Sequence, residues 1–178
     1  MTDLTEFKRW ENNISRVHFP KWKELPSLGL YVDQVAAVIN EYLGSLGMEP
    51  LTKSMINNYV KKKAIQAPIK KKYAVNQIVD LLLIGFFKNT FAIDEIRRGI
   101  LQVTTNDYPQ QAYDRFVDIL NARLNNEDVP NDPNFNLAND RLMKLTINAA
   151  LSSLEAKKLL AVMAKNDQPK DEVEKPKK

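Results

Sequence analysis

Two runs of three lysines, Lys61-Lys62-Lys63 and Lys70-Lys71-Lys72, are the residues most able to do chemistry in this sequence. Lys53 and Lys88 join them between Leu51 and Thr90, where Asp80 is the only acid, so this stretch of forty residues carries +7. The 178-residue chain as a whole has 26 Lys+Arg against 22 Asp+Glu, a net +4, so everything outside the stretch sums to −3. A local concentration of ammonium groups in a slightly acidic chain suits a polyanion, above all the phosphates of a nucleic acid. Among the lysines stand Ser54, Asn57 and Asn58. Lysine can donate to guanine acceptors and asparagine can bond adenine in bidentate fashion, so these types can read base edges. The lysine triplets are better suited to phosphates, which position a protein without reading sequence. Tyr73 follows the second triplet, where its ring can staple the segment or its hydroxyl can bond a phosphate. The candidate nucleic-acid-binding set is therefore Lys53, Ser54, Asn57, Asn58, Lys61, Lys62, Lys63, Lys70, Lys71, Lys72 and Tyr73.

Other chemistries find little support. There is no cysteine, which removes disulfides, thiolate metal sites and a cysteine nucleophile. The single histidine, His18, does not make a triad or a zinc site and reads as a capping or surface residue. With five glycines and no Gly-rich phosphate loop or GxSxG motif, the chain is expected to be neither an enzyme nor a cofactor binder. Asp94-Glu95 falls in the first turn of a helix, where carboxylates favour the dipole. The longest apolar stretch, Leu81 to Phe87, falls far short of the ~20 residues that cross a bilayer, and the first residues are polar and acidic. A cytoplasmic protein with no membrane partner is expected.

The elements that must position the lysines read as helices almost throughout. Leu4, Phe7, Trp10, Ile14 and Val17 place a helix over residues 3–17. Pro20, Pro26 and Gly29 break the pattern, and Trp10 and Trp22 should pack this N-terminal segment onto the body. A helix over 31–43 ends at the Gly44 to Gly47 turn, and Thr52 caps a short helix to about Lys62. Pro68 forbids its continuation, so 64–73 is a non-helical connection and the one place for a two-stranded wing. Val75, Ile78, Val79, Leu82, Leu83, Phe86 and Phe87 form the strongest helical stripe, and Leu81 and Ile84 widen it until the helix is buried over much of its surface. Helices over 93–103, 108–124 and 137–165 follow, the last one either pairing with 108–124 or forming a dimerisation arm. The tail from 166 to 178, with two prolines and one large apolar residue, should be disordered.

Taken together, residues 51–61 (Leu-Thr-Lys-Ser-Met-Ile-Asn-Asn-Tyr-Val-Lys), Ile65-Gln66-Ala67-Pro68, Lys71-Lys72-Tyr73, Leu81 to Ile84 and Phe91 to Ile96 make a recognisable order. It resembles the winged-helix domain of MerR-type regulators, and most closely the bacterial family known as domain of unknown function eighteen thirty-six. The resemblance spans 28–105 and implies an all-α fold. A MerR-like winged helix-turn-helix domain with a tiny two-stranded wing would be followed by a C-terminal helical bundle or dimerisation helices. The divisions are then an N-terminal helix and linker (1–27), the winged-helix domain (28–105), a C-terminal helical region (106–165) and the tail (166–178). The implied function is sequence-specific binding of duplex DNA as a transcription regulator, as a homodimer, with any effector unidentified. Lys63 stands where the family pattern has a turn glycine, Asn57 where it has an arginine and Asn58 where it has a tyrosine. Those departures motivate the alternative, a non-enzymatic protein-interaction module on a winged-helix scaffold that has lost DNA binding.

Overall fold

The computed structural model describes residues 3–167, which form seven α-helices and a single 3-10 turn. The helices are α1 (Thr5–Ile14), α2 (Val32–Ser45), α3 (Lys53–Lys61), α4 (Val75–Phe87), α5 (Ile93–Asn106), α6 (Pro109–Leu124) and α7 (Leu137–Asn166), with the 3-10 turn at Trp22–Glu24.

The widest apolar stripe in the sequence becomes the central helix. Nine residues of α4 are buried, from Gln77 to Phe87, and α2, α5 and α6 pack against it. Gly85 lets α2 come close: a Cβ there would lie 2.6 Å from Leu43 Cδ1. Val35, Ile39 and Leu43 line the α2 side of this contact. Phe86 meets Phe19 (ring centroids 6.2 Å apart), Phe87 (4.9 Å) and Phe116 (5.7 Å), each edge-on. One core therefore runs from Phe19 and Leu25 through α2–α5 to α6 and α7, across both expected divisions at 27/28 and 105/106.

Hydrogen bonds set where α3 sits. Asn40 of α2 clamps the backbone of Leu51 from both sides: its Nδ2 donates to the Leu51 carbonyl and its Oδ1 accepts from the Leu51 amide, both at 2.8 Å. Thr52 then caps α3 as expected, its Oγ1 accepting from the Met55 amide at 3.1 Å. Ile56 is fully buried, and Met55, Tyr59 and Val60 are half-buried against the core. The connection after α3 is held by Gln77, whose Nε2 donates to the carbonyls of Gln66 and Ala67 while its Oε1 accepts from the Ala74 amide.

The C-terminal helices lock together through charge. Asp140 of α7, 1% exposed, accepts from Arg115 of α6 at 2.6 and 3.1 Å and pairs with Lys144 at 3.0 Å. Farther along α7, Lys158 and Lys165 both reach Glu6 of α1. The first half of α7 thus pairs with α6, and Met143, Ile147 and Ala150 are buried there, whereas Ala161 farther along is exposed.

Several expectations shift. Helix α1 is shorter than 3–17, and α2 runs through Gly44 to Ser45, with Gly47 (φ +74°) making the turn. No regular strand forms among the described residues: the wing segment contains two isolated antiparallel bridges, Leu30 with Tyr73 and Ile69 with Lys72. Trp22 packs edge-on against Tyr113, as expected of a residue fastening the N-terminal segment. Of the expected tail, Asn166 closes α7 and residues from 168 lie outside the described residues. No described helix is long and apolar enough to cross a membrane.

Candidate nucleic-acid interface

Helical geometry sorts the polar residues of α3 onto one side. Lys53, Asn57 and Lys61 recur every four residues, and Ser54, Asn58 and Lys62 form the adjoining row. All six are exposed, while Ile56 points into the core. The face is about 13 Å long, from nine residues at 1.5 Å each.

At its end the chain turns through Lys63, which has φ +58°. The Lys63 amide donates to the Val60 carbonyl at 3.0 Å and the Ala64 amide to the Tyr59 carbonyl at 2.8 Å. This pair of bonds is the Schellman arrangement that closes a helix, and the left-handed position in it normally belongs to glycine. The second triplet repeats the anomaly. Ile69 and Lys72 exchange both backbone hydrogen bonds, at 3.1 and 2.9 Å, which makes Lys70-Lys71 a two-residue loop. Both loop residues have positive φ, +49° and +64°, a conformation in which Asn-Gly is the favoured pair.

The two lysine groups converge at the start of α2. Lys53 pairs with Asp33 at 3.2 Å, and Lys72 lies over the Tyr31 ring, 5.6 Å from its centroid. Gly29 makes room for Lys72, whose Cβ would lie 3.0 Å from a Cβ at that position. Lys61, Lys62, Lys63, Lys70 and Lys71 are exposed and have no acidic partner within 4 Å among the described residues.

Two residues counted in the +7 stretch stand apart from this face. Lys88 is half-buried beside Glu49, and burial holds its ammonium below the ordinary lysine range although Glu49 opposes that. Asp80 is turned into a cleft, where it pairs with Arg97. Tyr73 is corrected by the structure: it is 2% exposed, packs in the core, and anchors the turn through its backbone bridge to Leu30. Burial raises both its hydroxyl and that of Tyr59 above the ordinary tyrosine range.

A cleft that no sequence motif marks adjoins Asp80. It measures about 660 Å³ and opens between α4, α5, α6 and α7. Its walls come from four helices far apart in the chain, so no local spacing announces it.

Fold and surface together define an all-α protein with a lysine-rich face on a short capped helix and the turn behind it. The chain belongs to the family described as Domain of unknown function (DUF1836), whose model matches residues 20–116. That span takes in α2 to α5, the basic face and the start of α6. No curated protein and no solved structure matches the chain.

Proposed function

We propose that this chain is a non-enzymatic, sequence-specific DNA-binding regulator of transcription, with α3 as its recognition helix and Ile69–Lys72 as a minimal, MerR-like wing. One observation carries the reading. Of the four non-glycine residues with positive φ among the described residues, three are lysines of the basic face: Lys63, Lys70 and Lys71. Left-handed backbone costs a lysine roughly 1 kcal/mol relative to glycine. A strained position occupied three times by the same charged residue, with no acid to pair it among the described residues, is accounted for by a ligand rather than by folding. Phosphates are the ligand that such exposed ammonium groups suit. Lys53, Ser54, Asn57 and Asn58 would face base edges, and Lys61, Lys62, Lys63, Lys70, Lys71 and Lys72 would hold the backbone. A homodimer, with α7 setting the spacing, completes the proposal.

The test is a salt titration of binding to duplex DNA. With about five phosphate contacts, log affinity against log salt falls with a slope near −4.5. Replacing Lys61, Lys62, Lys71 and Lys72 by alanine flattens that slope by about 3.6. No binding at ~50 mM salt overturns the proposal. Selection from a random DNA pool then tests specificity, and an inverted repeat among the selected sequences reports the dimer.

One feature favours a second reading, a protein-interaction module. Leu28 (81% exposed) and Ile69 (79% exposed) are apolar residues beside the basic turn, where a purely phosphate-facing surface has no use for them. That reading predicts preparations free of nucleic acid and an affinity for duplex DNA that does not depend on the lysine triplets.

A further inference from the structure

The cleft between α4, α5, α6 and α7 plays no part in the DNA reading and stands independently of it. Its volume, about 660 Å³, is that of a small-molecule site. Leu83, Phe87, Phe91, Val103, Phe116 and Met143 give it an apolar lining in which three phenylalanine rings stand together.

Gly99 is the first sign that the space is meant to stay open. It lies in the interior of α5, where glycine weakens a helix relative to alanine. It does not take up a positive φ, and a Cβ there would meet nothing within 4 Å. Neither backbone conformation nor packing asks for glycine at this position. What its missing side chain provides is room, because Gly99 lines the cleft.

The polar groups supply the second sign. Asp80 Oδ2 meets Arg97 Nη1 at 3.2 Å, the one hydrogen bond between them. Asp80 Oδ1 has no partner among the described residues, yet no buried side-chain oxygen there goes unpartnered, so Oδ1 is accessible. The remaining guanidinium nitrogens of Arg97 are likewise unused. The wall thus offers an acceptor and several donors side by side. Burial raises the Asp80 carboxyl above the ordinary range and Arg97 only partly offsets this, so the carboxylate gains from a further donor. Glu95, also on the wall, already accepts from the Ala92 amide at 2.9 Å. With two acids and two arginines the lining is formally neutral. An anionic head would meet Asp80 and a cationic head would meet Arg97. A neutral head that both donates and accepts, as a carboxamide or urea does, matches the pair.

We infer that this cleft binds an uncharged, largely aromatic small molecule whose amide-like head bonds Asp80 and Arg97 while its ring system lies on Phe87, Phe91 and Phe116.

Three probes with one body and three heads test it: 1-naphthylacetamide, 1-naphthylacetate and 1-naphthylmethylammonium, titrated into the full chain and followed by calorimetry and amide chemical shifts. The amide should bind saturably and at least tenfold more tightly than either ion, with shifts centred on residues 79–103 and 142–146. Gly99→Leu should plug the cleft, losing tenfold or more in amide affinity while its melting temperature holds or rises. Asp80→Asn, which leaves the cleft open, should instead lose the discrimination against naphthylacetate. The inference is overturned by no saturable binding of the amide, by a tenfold preference for either ion, or by amide binding that neither variant alters. It is also overturned if the chain self-associates through this face and Gly99→Leu makes it monomeric, which would identify the occupant as a second copy.

Discussion

The α6–α7 seam and the basic face treat charge in opposite ways. In the seam, Asp140 is almost wholly enclosed and satisfied by Arg115 and Lys144 together. Burial would raise its carboxyl, but those two cations hold it below the ordinary range. On the basic face five lysines stand in solvent without an acidic partner among the described residues, three of them on left-handed backbone. The seam spends its charges on holding two helices in register. The face accepts strain and self-repulsion, and those five ammonium groups meet no acid among the described residues in return. Asp80 lies between the two cases, half-buried yet bound by a single contact to Arg97. Where charge is fully matched, it serves the fold. Where it is left unmatched, the missing partner is the place to look for function.

The largest expected effect comes from breaking the seam. Asp140→Ala leaves Arg115 and Lys144 facing each other across a buried gap, and should cost roughly 3–5 kcal/mol of stability. By calorimetry that is a fall in melting temperature on the order of 10 °C. A loss below ~1 kcal/mol would put the seam in the same class as an exposed ion pair.

The basic face should respond with the opposite sign. Lys63→Gly combined with Lys71→Gly should raise stability by about 1–2 kcal/mol, since both positions have left-handed backbone. The same change should weaken binding to duplex DNA. Alanine at both positions removes the charges but keeps the strain, so it should weaken binding without the gain in stability. If the glycine pair is destabilising in denaturant titrations, the strain argument fails.

A smaller effect separates the two aspartates by pH. Asp140 has a lowered folded pKa, so its contribution is present above its ordinary value of 3.8 and is lost as the pH falls through the folded value. Asp80 is raised, so its contribution is present below 3.8 and is lost as the pH rises through its folded value. Denaturant midpoints of Asp140→Asn should therefore lie below the wild type at neutral pH and converge with it in acid. Those of Asp80→Asn should gain on the wild type as the pH rises above 3.8 through the raised folded value, by less than ~1 kcal/mol, because the pair is partly solvated. Parallel curves for the two variants would show that their environments do not differ.

Helix by helix, the fold was legible because each apolar stripe has a period that only a helix can bury. Val75 to Phe87 announced itself as the most enclosed element, and Thr52 as a cap, from spacing and residue type alone. Tyr73 was misplaced because an aromatic after a lysine triplet looks the same whether it is a staple or a ligand, and only its bridge to Leu30 withdraws it from the surface. Phe19, Phe86 and Phe116 come from three of the expected divisions and meet in one core. Contacts between residues so far apart in the chain leave no periodic trace.

What the order of residues determined by itself was the set of helices and the +7 carried between Leu51 and Thr90, because hydrophobic period and formal charge are local properties. Tertiary structure decided which of those charges stand together. It drew Asp80 and Lys88 away from the basic face, bent Lys63, Lys70 and Lys71 into left-handed turns, and opened a cleft where α4, α5, α6 and α7 meet. Those outcomes depend on how helices pack against a shared core, and packing joins residues that the sequence keeps apart.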